Sequence, residues 1–193
     1  MHTLSASFVF GYHGCDAEVA DKLIAGSPFK PSSNSYDWLG HGIYFWEANP
    51  RRGLDYAKEL MARKSGPKIR KPAVVGAVIE LRLCLDLTTL AGIEQVRIAH
   101  AELMKVFQKA GLEPPKNNPD GLRRNLDCAV INYLHEIRAN QGQPAIDCVK
   151  GVFIEGAPIY ETAGFHEKTH IQICVRNPDC IKGVFRVPDA FLA

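Results

Sequence analysis

Apolar and polar positions alternate from Phe8 to Tyr12, which predicts a short strand delivering His13 and Gly14. Glu18 to Ala25 has a helical spacing of apolar residues. The stretch from Gly26 to Gly40 is rich in Ser, Pro and Asn and reads as a loop, and Gly42 to Phe45 as a compact strand. A helix start follows: Asn49 is placed to cap it and Pro50 to occupy its first position. Leu54, Ala57, Leu60 and Met61 give that helix one apolar face, and it should fray near Lys64 to Pro67.

Val75, Ala77, Ile79, Leu81, Leu83, Leu85 and Leu87 alternate without a break, the strongest strand signal in the chain, with Glu80, Arg82 and Asp86 on a wet opposite face. The period then changes. Val96, Ala99, Leu103, Val106 and Ala110 are helically spaced, as are Leu122, Leu126, Ala129, Val130, Tyr133, Leu134 and Ile137. A Pro-rich link separates the two sets, with Asp120 a candidate cap for the second helix, so residues 91–141 predict a helical hairpin inserted in a β-rich domain. Strands resume at Val149 to Ile154, Thr169 to Val175 and Ile181 to Val187. Strands and helices do not alternate regularly, which argues α+β rather than a doubly wound sheet.

With 193 residues the chain fits one domain, 1–193, with a sizeable core. Hydrophobic residues make up 46% and charged residues 23%, an ordinary globular balance. A formal net charge of +2 argues neither for nor against a nucleic-acid or membrane partner. The first residues lack a basic start followed by an apolar run, so no secretory signal is expected, and no apolar stretch approaches a membrane span. The six cysteines form no C-x-x-C and no zinc spacing with histidine, so no metal is expected. They read as reduced, mostly buried thiols of a cytoplasmic protein.

Two segments carry chemistry: GYHGCDAEVADKLIAGSPF, from Gly11, and YDWLGHGIYFWEANPRRGLDYA, from Tyr36. Together they resemble the poly(ADP-ribose) polymerase-like branch of the ADP-ribosyltransferase superfamily. That branch opens on a strand ending in His-Gly, and later has a G-x-G-[IV]-Y-F strand leading into a helix with a second tyrosine. The resemblance is close over roughly the first third of the chain. AVVGAVIELRLCLDL and THIQICVRNPDCIKGVF match later strands of bacterial relatives more loosely, and residues 91–141 lie outside the shared core. The implied fold is a split β-sandwich of two antiparallel sheets facing each other, with peripheral helices and the hairpin insertion on the outside.

The implied substrate is NAD⁺, bound at His13, Gly14, Tyr44 and Tyr56, with His13, Tyr44 and Gln172 as the catalytic set. Physical chemistry agrees. A flat cationic nicotinamide is well served by tyrosine faces, here Tyr44 and Tyr56. Gly14 lets backbone N–H and C=O approach a carboxamide. His13 can bond a ribose hydroxyl. The helix start near Pro50, with Arg51 and Arg52, can meet an anion, although an exposed helix start explains those arginines equally well. A lone histidine or strand tyrosine is more often structural, and the combined motifs tip the balance here.

The family's third motif, a glutamate on a late strand, is missing: THIQICV carries no carboxylate. Gln172 is the expected equivalent, able to bond a ribose hydroxyl without offsetting the developing cation; Glu161, Glu167 and Glu47 are the alternatives. The expected function is mono-ADP-ribosyl transfer from NAD⁺ to an unknown macromolecular acceptor, protein or nucleic acid, with release of nicotinamide, in a toxin or defence effector. Competing readings are an inactive NAD⁺- or ADP-ribose-binding module, an NAD⁺ glycohydrolase, and a tRNA 2′-phosphotransferase, the last disfavoured by the small net charge.

Overall fold

A computed structural model describes residues 8–63, 69–119 and 121–192. The predicted fraying at Lys64 to Pro67 and the cap at Asp120 lie outside the described residues.

The chain begins with β1 (Phe8–Asp16), which runs straight into α1 (Ala17–Ile24). Asp16 makes the switch: its carboxylate accepts from the Glu18 amide and from the amides of Arg70 and Lys71, and these bonds hold the acid below its ordinary value. After the loop come β2 (Ile43–Glu47) and α2 (Pro50–Ala62), capped by Asn49 Oδ1 on the Arg52 amide, with Pro50 opening the helix as expected. Then follow β3 (Pro72–Glu80), β4 (Cys84–Asp86), α3 (Leu90–Ala110), α4 (Asn125–Asn140), β5 (Cys148–Phe153), β6 (His170–Val175) and β7 (Ile181–Arg186). Arg124, without a capping side-chain bond, precedes α4.

The architecture is α+β. The strands hydrogen-bond as one seven-stranded sheet in the order β4-β5-β6-β2-β1-β3-β7, antiparallel except for β4 beside β5. This corrects the expectation of two separate sheets. The join is narrow: β1 pairs with β3 from Phe8↔Glu80 to Asp16↔Pro72, but with β2 only at Gly11↔Glu47 and Tyr12↔Trp46. Beyond Tyr12 the two strands part. The sheet is continuous because those two positions hold, and split because the ladder stops there.

The alternation from Val75 to Leu87 is also not one strand. β3 ends at Glu80, Arg82 turns through φ 47°, and β4 pairs with β5 at the far edge of the sheet. Ile79 and Leu81 pack on one face, Leu83 is exposed, and Leu85 and Leu87 pack on the other, so an unbroken alternation of residue types runs across a break that periodicity alone could not show.

Helices cover the sheet unequally. On one face, α1 sets Ala20 and Leu23 against Cys15 and Val75, and a core of Ile43, Phe45, Ala77, Ile79, Ile173 and Val175 spans the join. On the other face, α2 lies over β1 and β3 through Gly53 and the expected Ala57, while Met61 is exposed. On that face the α3–α4 hairpin sets Ala99, Leu103, Val130, Ile131 and Leu134 against Val149, Cys174 and Tyr44. The hairpin therefore builds a main core instead of sitting outside it. Burying a leucine such as Leu134 in such a core contributes about 1.5–3 kcal/mol. All six cysteines are free and five are buried. Among the described residues no helix is long and apolar enough to cross a membrane.

Candidate functional site

The site is built where β1 and β2 part. His13 lies one residue past the last β1–β2 pair, and its Nδ1 meets the Tyr44 carbonyl at 2.9 Å. A carbonyl only accepts, so Nδ1 carries the proton and Nε2 presents a lone pair. Phe29 and Phe45 pack edge-on and tilted against the ring at 5.4 and 5.7 Å. Burial pushes the imidazole below its ordinary 6.5, which the Tyr44 bond only partly offsets, so the ring is neutral at neutral pH.

Gly14 follows. The Phe10 carbonyl accepts from the Ala48 amide, so by the two-residue alternation of a strand the N–H and C=O of Gly14 point to the same side, toward β2. At that level β2 is no longer paired with β1. A Cβ on Gly14 would overlap the Gly53 carbonyl oxygen of α2, so glycine is required for α2 to cross here.

Tyr44 lies on the helix-covered face, packed against the hairpin core. Its hydroxyl donates to Gly40 O at 2.8 Å and accepts from the Leu39 amide at 3.0 Å, and burial holds the phenol well above its ordinary value. Tyr56, on α2, packs tilted against Trp46 at 4.8 Å, with the Arg63 guanidinium over its ring. Among the described residues no ring contact joins Tyr44 to Tyr56, so the two do not form a ready-made clamp. The aromatic pair at the site is Trp46–Tyr56.

Gln172 faces the same side of the sheet, opposite Trp46 in register, and its Oε1 accepts from Trp38 Nε1 at 2.7 Å. Of the alternative carboxylates, Glu161 and Glu167 are exposed in the loop before β6. Glu47 is paired with Lys150 at 2.8 Å.

Sequence reasoning missed the polar centre between α2 and the end of β5. Arg52 is not an exposed helix-start residue: it is only 7% exposed, its Nη2 donates to Glu155 at 2.8 Å, and Glu59 lies 3.4 Å from its Nη1. The guanidinium sits 5.7 Å above the Trp46 ring. Lys168 closes on Glu59 at 2.9 Å. His170, 5% exposed, is flanked by Phe153 at 5.4 Å and Trp46 at 6.1 Å. The sequence signals for this set were Arg52 at the helix start and His170 sharing a strand face with Gln172; Arg52 and Glu155 are 103 positions apart. Two clefts meet at the Arg52–Glu155 pair. One, about 320 Å³, has Glu155 in its wall with Phe153, Ile154, Leu122 and His166. The other, about 380 Å³, has Arg52 in its wall with Asn49, Asp55, Glu59 and Lys168. Neither is lined by His13, Gly14 or Tyr44. Among the described residues no group of three or more His, Cys, Asp or Glu side chains could hold a metal ion.

Comparison with known proteins adds a relative of undefined role. The chain is 28% identical over 192 aligned residues to an uncharacterized protein of Methanocaldococcus jannaschii, covering 89% of this chain and 83% of that one. No family model matches the chain, and no solved structure matches it.

Proposed function

We propose that the protein is an NAD⁺-dependent mono-ADP-ribosyltransferase with a split fold of the ADP-ribosyltransferase kind. The supporting observation is the parting of β1 and β2, with His13 Nδ1 tied to the Tyr44 carbonyl and the Gly14 amide facing the gap. This unites the His-Gly and G-H-G-I-Y-F segments, 31 positions apart, in one place. The His13 lone pair at Nε2 accepts from a ribose hydroxyl. The Gly14 backbone meets the carboxamide, and Tyr56 gives the nicotinamide an aromatic face. Gln172 lies on the Trp46 and Tyr56 face of the sheet, opposite the face on which the His13 ring packs, and carries no charge, which favours transfer of a single ADP-ribose over chain growth.

A second reading, an inactive NAD⁺- or ADP-ribose-binding module, is favoured by one observation: Gln172 is already engaged by Trp38, and β6 bears no carboxylate. NAD⁺ labelled in its adenylate half separates the two. Label on macromolecules of a cell extract, with nicotinamide released, supports the transferase. Binding without nicotinamide release supports the module. His13→Ala is expected to reduce nicotinamide release at least about tenfold, the effect of losing roughly 1.4 kcal/mol from the transition state, with an unchanged circular dichroism spectrum. Wild-type release by that variant rules out the His13 site.

A further inference from the structure

Three cysteines converge on the face of the sheet where Phe45 packs. Cys84 on β4 and Cys148 on β5 are partners in register on neighbouring strands, and Cys180 ends the short turn Pro178–Cys180 that leads into β7. Cys148 and Cys180 belong to one buried cluster with Ile43, Phe45 and Ile79, and Cys84 packs against it. The Cys148 thiol donates a hydrogen bond to the Cys180 sulfur. Exposure divides the three: Cys148 and Cys180 are 0% exposed, whereas Cys84, alone among the six cysteines, is only half-buried.

One carboxylate assembles them. Asp147, next to Cys148, accepts from the Leu83 amide, next to Cys84, at 3.2 Å and from Asn177 Nδ2 at 2.7 Å. The backbone repeats both links: the Asp147 amide donates to Leu83 O at 2.9 Å, and Asp147 O accepts from the Asn177 amide at 3.1 Å. Asn177 caps the turn, and its carbonyl accepts from the Cys180 amide at 3.0 Å. Hydrogen bonds of the chain beside each cysteine, and not packing alone, therefore hold the three thiols together.

We propose that Cys84, Cys148 and Cys180 form a disulfide-exchange relay, in which a low-molecular-weight disulfide reacts at Cys84 and the oxidation ends as a Cys148–Cys180 bond. In the first exchange the Cys84 thiolate attacks one sulfur of the reagent, whose S–S bond breaks and releases one half as a thiol, protonated at the expense of Cys84. Cys148 then attacks the Cys84 sulfur, and the second half leaves with the Cys148 proton. Cys180 attacks Cys148 in turn, and its proton passes to the leaving Cys84 sulfur. Two protein thiols are oxidised to one disulfide and the reagent is reduced to two thiols, so no other reactant is needed.

The order follows from geometry. Neighbouring strands lie about 4.7–4.9 Å apart, short of the roughly 5.5–6 Å between Cα atoms that disulfides favour, so the Cys84–Cys148 bond passes on rather than persists. Burial and then Asp86 lift the Cys84 thiol to about 12, against the pull of Lys150, so the uptake is slow. The final bond has a consequence for the fold. β5 lies with β4, β6 and β2 on one side of the narrow join, and Cys180 feeds β7 at the opposite edge, so the bond ties the two halves of the sheet together.

The test uses the full folded chain, oxidised glutathione as the probe and mass spectrometry of unreduced peptides. A Cys148–Cys180 link is expected, with Cys84 recovered as a free thiol. The oxidised chain is expected to unfold at a higher urea concentration, and a reductant to return it to the starting midpoint. Cys84→Ser is expected to slow the link to the rate at which buried Cys15 is alkylated, because the reagent must then wait for the fold to open. Cys180→Ala is expected to stop at Cys84, as the glutathione adduct or the Cys84–Cys148 bond. Unreacted thiols in the wild-type chain, glutathione that stays on its Cys84, a Cys84–Cys148 bond that persists there, or a link that forms as fast in folded Cys84→Ser overturns the relay. None of these readouts involves NAD⁺, so the relay stands or falls apart from the transferase reading.

Discussion

At the scale of residues, the site depends on close approach more than on reach. Gly14 shows this most sharply, because a methyl there would overlap the Gly53 carbonyl. Backbone cannot swing aside as a side chain can. Gly14→Ala is therefore expected to cost about 3 kcal/mol, at the upper end of overpacking, read as a lower midpoint in urea with an unchanged slope. A midpoint equal to wild type would mean that α2 does not press on β1 here. His13, Gly14, Tyr44 and Tyr56 stand out in the sequence because short local strings carry them. Arg52, Glu155 and His170 do not, because three distant segments must fold before an ordinary arginine becomes a buried one paired across the cleft. Charge and exposure belong to the assembled face, and no local window contains them.

At the scale of elements, α2 organises the site. It supplies Arg52, Gly53 and Tyr56, and its first turn rests on Asn49 Oδ1. Asn49→Ala is expected to destabilise the protein by about 1 kcal/mol. Because Arg52 is the residue whose amide the cap holds, the same variant should weaken NAD⁺ binding by isothermal titration, whereas a purely global effect would leave affinity unchanged in the folded fraction. This helix was legible from Asn49-Pro50, as β5, β6 and β7 were from their alternation. The stretch from Val75 to Leu87 misled for a definite reason. Alternation records the order of apolar and polar residues, and past the turn at Arg82 the same order continues while the apolar residues change face, from Ile79 and Leu81 on one to Leu85 and Leu87 on the other. The packing face of α2 was legible at Ala57 but not at Gly53, where close crossing selected a residue without a side chain, and Met61, counted on the apolar face, is exposed.

At the scale of the whole molecule, α+β character could be read from the order of elements, but the single sheet could not. Whether two halves join or face each other turns on two backbone pairs, Gly11↔Glu47 and Tyr12↔Trp46, and backbone pairing leaves no mark in side-chain pattern. Three histidines give the folded state a common response to acid. Burial lowers the basicity of His13 and His170, and holds His135 down to about 3, with Arg176 and Arg138 adding to that shift. In the unfolded chain these rings take protons near the ordinary 6.5. The unfolded state thus binds more protons between about 6.5 and 3, so this part of the stability is complete above the unfolded value and is lost as pH falls through that window. The melting temperature should fall steadily below about pH 6.5, and His135→Gln should flatten part of that slope. An equal slope in the variant would show that His135 is not the source.

The buried cysteines turn the molecule into its own clock. Burial lifts the thiols of Cys15 to about 11 and of Cys174 to about 12, so almost none is thiolate at neutral pH. An alkylating reagent must then wait for the fold to open, and its rate of uptake measures opening rather than chemistry. Under native conditions, mass spectra should show the five buried thiols labelled together, with few partial adducts among them. A ligand that closes the fold would lengthen that interval by the factor with which it binds, and so would report its affinity without any assay of turnover. Early labelling of Cys15 alone would instead show the α1 end of the sheet opening before the rest.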